Sequence, residues 1–345
     1  MKPKTKRILN FLLIFGTLAI VLIIGFSGND FGKALEALKT VPLFWLLLCF
    51  AAYLGYLSCE AMAIHFFLRR QGCPVTLRYA YLVAIVGMYY SNITPGATGG
   101  QPMQIYYLHK RNVPVGLSTS ALLVKLFSFQ FMLLVVGTVC WIGHGAFIAE
   151  NVGSSMWILI VGYVYNAVVV GFLLLVALNR RLVHFLLMLI LKIGTKLHLC
   201  KEPEQTRVRW EDALETYHGS IMMLAHRPLD VLVQLAIGGI QLIVLMMVIV
   251  CLYFGFGLSG ATVTQLIALG VMLYTSASYT PLPGASGAQE GVFALYFAKV
   301  FPDDVRFMTL LLWRFFTYYL SLIVGAVATI GFGLRKDKNV QDEQK

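Results

Sequence analysis

Two heptapeptides decide how this chain is read: Pro95-Gly96-Ala97-Thr98-Gly99-Gly100-Gln101 and Pro283-Gly284-Ala285-Ser286-Gly287-Ala288-Gln289. Five of seven positions are identical, and the other two exchange Thr for Ser and Gly for Ala. Each sits inside an apolar region, 78–111 in one case and 261–301 in the other. Proline and glycine at this density break a helix rather than bend it. A motif returning in this way points to an internal duplication. The bland alternative is two unrelated Gly/Pro kinks.

The flanks say what kind of duplication it is. Of 345 residues, 59% are hydrophobic and 12% charged, and mean hydropathy is +0.77. So few charges could hardly solvate the two globules this length would otherwise make, so soluble, disordered and fibrous classes are excluded. Six stretches are long and apolar enough to cross a bilayer: 8–26, 43–68, 117–142, 156–178, 229–254 and 305–332. The first follows Lys2, Lys4, Lys6 and Arg7 and exceeds a signal-peptide core, so it reads as an uncleaved span.

Charge placement then orients the spans. Basic clusters occur at 2–7, at Arg69, Arg70 and Arg78, at Lys110 and Arg111, through 180–227, and at 335–345. The positive-inside rule places all five in the cytoplasm. Six spans satisfy this with both termini inside, provided 78–111 enters and leaves from the cytoplasm and 261–301 from outside. The expected fold is therefore an all-α polytopic membrane protein, six transmembrane spans plus two re-entrant hairpins in an inverted repeat. That plan is common among alternating-access transporters. The expected divisions are a first half (1–178), a cytoplasmic connector (179–227), a second half (228–334) and a cytoplasmic tail (335–345). In the connector, RRLVHFLLMLILKIGTKLHL (180–199) reads as a helix lying on the membrane, and the rest as a short soluble helix.

Candidate functional residues follow from what a membrane interior tolerates. Broken helices leave backbone groups that must be buried in protein or face a wet cavity. The Gly-rich turns, with Pro95, Gly96 and Gly99 in one and Pro283, Gly284 and Gly287 in the other, would expose backbone amides at the start of returning half-helices and suit an anion. Thr94, Thr98, Gln101 and Gln104 add polar groups to the first hairpin; Thr280, Ser286, Gln289 and Glu290 add them to the second. Gln130, Asn92 and Asn166 are lesser candidates. Four charged residues fall within apolar segments, Glu60, Lys125, Glu290 and Arg314. Each is costly in lipid and should find a partner or water. Lys125 lies 24 residues after Gln101 and Arg314 lies 25 after Gln289, one cation per half. Two such cations suit a lipid phosphate, with Glu60 and Glu290 balancing charge; fixed ion pairs setting helix register are the alternative.

The six cysteines show no CxxC spacing, and the seven histidines no HExxH pair, so no metal, disulfide framework or cofactor is expected. The net charge of +11 divides by compartment. Cytoplasmic segments hold 21 basic and 9 acidic residues, external ones 4 and 5, and the interior 2 and 2. The excess faces anionic lipid head groups at the cytoplasmic face, not nucleic acid.

TPGATGGQPMQ (94–104), LVKLFSFQ (123–130) and YTPLPGASGAQE (279–290) resemble the flippase-like transmembrane region of lysylphosphatidylglycerol synthases, the membrane half of the multiple peptide resistance factor. The resemblance covers about residues 8–333 and implies a multi-pass plasma-membrane protein that moves an anionic or aminoacylated phospholipid between leaflets. With the chain ending at Lys345, a stand-alone form is expected, lacking the synthase domain and relying on a separate lipid-modifying synthase. Polyprenyl-phosphate carriage, an enzyme acting on lipid head groups, and a scaffold or sensor are the competing readings. Lipid species, direction, driving force and oligomeric state stay open.

Overall fold

The structure, a computed structural model, describes Glu36 and residues 38–73, 75–196 and 203–330. The expected first span, 8–26, and the tail, 335–345, lie outside the described residues. Among those described, the chain is all-helical with no strand. Four segments are long and apolar enough to cross a membrane: Leu43–Arg70, Val115–Leu178, Pro228–Gly255 and Asp303–Ile330.

Helix α1 (Leu43–Arg70) starts after Pro42 and ends on Arg69 and Arg70, whose charges suit the negative end of a helix. Helices α2 (Leu77–Ile93) and α3 (Gly100–His109) flank a tight turn at Pro95–Ala97 and pack on each other as a hairpin. Next come α4 (Val115–Val152) and α5 (Met156–Leu178). The span expected at 117–142 runs further than its sequence suggests. Gly143, His144 and Gly145 look like a loop, yet only His144 leaves helical geometry and the helix continues to Val152. Glycine is more frequent in helices within membranes than in soluble ones. At Gly153 (φ +53°) the chain reverses, and Gly137 packs on Tyr163 across the α4–α5 contact.

The connector contains α6 (Arg180–Lys196) and α7 (Pro203–Ala225). The second set follows: α8 (Pro228–Gly255), α9 (Val263–Ala277), a turn at Pro283–Ala285, α10 (Ala288–Tyr296) and α11 (Asp303–Ile330). Thr262 and Gln265 cap α9 reciprocally, at 3.3 and 2.8 Å. Within α11, Phe315–Tyr319 forms one turn of π-helix.

The two sets correspond. Gly96 and Gly284 stand 188 positions apart, as do the first residues of α4 and α11. Their tips share one backbone conformation: Gly96 at φ 60°, ψ 23°, and Gly284 at φ 59°, ψ 20°. The alanines that follow are also left-handed, Ala97 at φ 56° and Ala285 at φ 50°. An alanine in that region carries about 1–2 kcal/mol of strain, so its recurrence marks a conformation held by its surroundings. The matching helices α1 and α8 lie antiparallel: Cys49 meets Val248, Gly55 meets Val244, Glu60 meets Gln241, Ala63 meets Gln234 and Arg70 meets Asp230.

Among the described residues two large apolar cores result. One gathers α8, α9 and α10 with parts of α1, α4 and α11, around a stack of Phe293, Phe297, Phe301 and Trp313. The other gathers α2 and α3 with α1, α4 and α7.

Candidate functional site

The hairpin tips touch. The Gly96 amide donates to the Pro281 carbonyl at 2.8 Å, and the Tyr318 hydroxyl on α11 donates to the Asn92 carbonyl at 3.2 Å. Each hairpin has a buried charge cluster beside it.

The first cluster joins four helices. Lys125 on α4 forms an ion pair with Glu60 on α1 and donates to the Gln104 side chain on α3 at 3.2 Å. The other Glu60 oxygen accepts from Gln241 on α8 at 3.0 Å. Gln104 also donates to the Val83 carbonyl at 3.3 Å, fixing it across its own hairpin. It can lie there because Gly87 has no side chain: a Cβ at that position would come within 2.1 Å of the Gln104 amide.

The second cluster is built on the other hairpin. Arg314 is 1% exposed, and its Nε lies 2.7 Å from Glu290 Oε1 without the alignment of a hydrogen bond. Its terminal nitrogens donate to Gln289 at 2.6 Å, to Ser286 at 3.1 Å and to the Gly284 carbonyl at 3.2 Å. The guanidinium also sits 4.6 Å over the Tyr318 ring. Glu290 Oε2 accepts from the Gly287 amide at 2.7 Å, which caps α10. The π turn begins immediately after Arg314, and such turns often mark functional positions in long helices.

The two halves thus place matching cations on matching helices but recruit their acids differently. Glu290 comes from the hairpin itself, whereas Glu60 comes from α1, 65 positions before Lys125.

The other named residues divide. Gln104, Ser286, Gln289 and Gly284 join the clusters. Thr94 serves its own turn, donating to the Tyr90 carbonyl at 2.6 Å and accepting from Gly99 at 2.8 Å. Thr98 donates to the Pro95 carbonyl at 3.0 Å. Gln101, Gln130 and Thr280 are half-buried and join neither cluster. Most of the turn amides are already engaged: Gly96 with Pro281, Ala97 with Thr94, Thr98 with Pro95, Gly99 with Thr94, Ala285 with Leu282, Ser286 with Pro283 and Gly287 with Glu290. In this conformation they do not form the open anion cradle expected of them. Asn166 is buried and donates to Ser278 at 2.7 Å and Thr275 at 3.3 Å, tying α5 to the end of α9. Among the described residues no group of His, Cys, Asp or Glu could hold a metal.

One participant was missed from sequence. Gln241 was legible: Asp230, Gln234 and Gln241 are spaced by 4 and 7, one stripe of a helix, and all are buried against α1. Tyr318 belongs to a group of tyrosines near the hairpins and the last span, where sequence alone does not separate a cavity lining from an interfacial anchor.

Paired broken hairpins beside buried, partnered charges, carried among long apolar helices, define a polytopic helical membrane protein. The chain belongs to the family described as "Lysylphosphatidylglycerol synthase TM region", whose profile matches residues 8–325. It is similar to a UPF0104 membrane protein of Archaeoglobus fulgidus, 23% identical over 316 residues, covering 87% of this chain and 90% of that protein.

Proposed function

We propose that this protein carries an anionic or aminoacylated phospholipid, such as lysylphosphatidylglycerol, between the leaflets of the plasma membrane. In this reading six spans and two hairpins form an inverted repeat with both termini cytoplasmic. The hairpins enter from opposite faces and meet near the midplane. The observation that carries the proposal is the contact of the two tips, Gly96 on Pro281, with a buried cation beside each hairpin. The antiparallel pairing of α1 with α8 supports the inverted arrangement. Lys125 and Arg314 exchange their carboxylate partners for the lipid phosphate as the head group passes, so neither charge is left unpaired in a low-dielectric interior. Family membership supports a lipid substrate, and a separate synthase supplying the aminoacylated lipid is the implied partner.

The test is reconstitution in liposomes with labelled lipids. Leaflet accessibility is measured for lysylphosphatidylglycerol, phosphatidylglycerol and a polyprenyl phosphate. Movement of an anionic lipid that stops in Lys125→Ala and Arg314→Ala supports the proposal; its absence in the wild type defeats it. Faster movement of the polyprenyl phosphate would identify the alternative cargo. The topology is tested with single cysteines at 97 and 285 in a Cys-free background. Labelling of 97 only from outside would overturn the hairpin arrangement.

One observation favours a second reading. Both Glu60 oxygens and both terminal nitrogens of Arg314 already have partners, as expected of static ion pairs that fix helix register. The two readings separate in the double variant developed below.

A further inference from the structure

Where α5 ends and α6 begins, an open cleft of about 600 Å³ lies against α7. Its apolar side is Leu174, Leu175 and Leu178, all exposed on the last turns of an apolar helix. Its polar side is Arg180, Arg181 and His218. Asn179 sits between the two sides and caps α6, its side-chain oxygen accepting from Leu182 at 3.0 Å.

The charges here are not spent. Among the described residues neither Arg180 nor Arg181 makes an ion pair or hydrogen bond, and the buried Nδ1 of His218 has no partner. The nearby acid on α7, Glu211, is taken by Arg207 at 3.0 Å and faces His184 at 4.0 Å. Beyond the cleft, α6 exposes Phe185, Leu189, Ile190 and Ile193, so the apolar surface continues along the connector. Two free guanidiniums at the end of an apolar helix match one ligand chemistry, a phosphate carried on a hydrocarbon chain.

We propose that this cleft is a fixed site for an anionic glycerophospholipid, its phosphate on Arg180 and Arg181 and one acyl chain along Leu174, Leu175 and Leu178. The site is separate from the hairpin clusters and does not depend on the translocation reading. Its consequence is mechanical. The bound lipid joins α5 and α6 to α7, and α7 is fastened to the Lys125 helix α4 by Ser220 on Ser120 at 2.6 Å. Tyr217, beside His218, closes the same link by donating to the Val176 carbonyl of α5 at 2.9 Å.

The test uses the full chain in a neutral detergent, with native mass spectrometry and thermal unfolding against phosphatidylglycerol, phosphatidylcholine, glycerophosphate and inorganic phosphate. Arg180→Gln/Arg181→Gln is compared with Lys192→Gln/Arg209→Gln, which removes the same charge from exposed positions outside the cleft. Phosphatidylglycerol should bind the cleft variant at least about tenfold more weakly than the control variant, beyond the diffuse attraction each loses. It should raise the unfolding midpoint of the wild type and control but not of the cleft variant. Equal weakening in both variants, equal binding of phosphatidylcholine, or competition by phosphate or glycerophosphate alone would overturn the proposal.

Discussion

Replacing Glu290 by Gln removes one charge while leaving an amide oxygen able to accept from Gly287, so the capping bond survives and the electrostatic change is isolated. At 2.7 Å and an effective dielectric constant of about 20, the Coulomb attraction between Arg314 and Glu290 is about 6 kcal/mol. Slight exposure of the carboxylate and the remaining bonds from Arg314 to Gln289, Ser286 and Gly284 soften the loss. The expected destabilisation is therefore about 3–5 kcal/mol, the usual consequence of stranding one buried charge. Adding Arg314→Gln removes the stranded charge. The double variant should be more stable than the sum of the two singles by about 2–3 kcal/mol. Stability is read from denaturant or thermal unfolding in detergent and function from leaflet accessibility in liposomes. A carrier that uses the cation predicts a folded double variant that moves no lipid. Static register pins predict a folded double variant that works normally, and that result would refute the proposed role of Arg314. A shift below about 1 kcal/mol for Glu290→Gln would refute the pairing itself.

Further outcomes follow from individual contacts. Gly284→Ala should cost more than Gly96→Ala by about 1–3 kcal/mol, because both strain a left-handed turn but only the first drives a Cβ to 2.0 Å from the Tyr318 ring. Unfolding midpoints of the two variants check this, and equal shifts would count against the Tyr318 packing. Tyr318→Phe keeps the ring under Arg314 and loses the bond to Asn92, so a loss of about 1 kcal/mol is expected, whereas Tyr318→Ala should lose about 3–5 kcal/mol. Gly162→Val should prevent folding, since even a Cβ would stand 2.4 Å from the Thr275 carbonyl; recovery of well-dispersed protein by size-exclusion chromatography would contradict that α5–α9 contact.

The sequence made the hairpins legible because their signal is local. Pro and Gly next to Thr or Leu break a helix wherever they stand, and the repeat showed that both breaks belong to one design. The cations were legible for the same reason, as costly residues at matched spacing. Glu60 and Glu290 were legible as the balancing acids, but which acid meets which cation was not. Glu60 pairs with a residue 65 positions away, and nothing in either segment says which acid meets which cation until α1 is laid against α4. The extension of α4 to Val152, kinked at His144, was hidden by Gly143 and Gly145, which mark turns in soluble chains but are more frequent within helices in membranes. The π turn after Arg314 was not legible, since nothing in the run FFTYY sets it apart from an ordinary helical turn.

The unequal recruitment of acids implies that the hairpins do not move equally. Hairpin 1 is tied within itself, by Gln104 to Val83, Tyr79 to Tyr107 and Thr94 to Gly99. Apart from apolar packing, its ties outward among the described residues include Tyr81 to Ser58, Gln104 to Lys125 and Glu60, Gly96 to Pro281 and Asn92 to Tyr318. Displacing it leaves Lys125 still paired with Glu60, so no charge is uncovered, and its tip residues 95–98 are already exposed. Hairpin 2 is held differently. Moving it away from α11 separates Arg314 from Glu290, Gln289, Ser286 and the Gly284 carbonyl together, and draws Phe293 and Phe297 from the stack with Trp313. Breaking a hydrogen bond to a charged group costs about 1.5–3 kcal/mol, and breaking a buried ion pair about 3–5. On these contacts hairpin 1 is expected to open more readily than hairpin 2. Amide hydrogen exchange in lipid nanodiscs checks this. The amides of α3 (Gly100–His109) should exchange faster than those of α10 (Ala288–Tyr296) by one to two orders of magnitude, about the factor a 1.5–3 kcal/mol difference gives. Gln104→Leu should speed α3 and leave α10 unchanged. Slower exchange in α3 than in α10 would reverse that order.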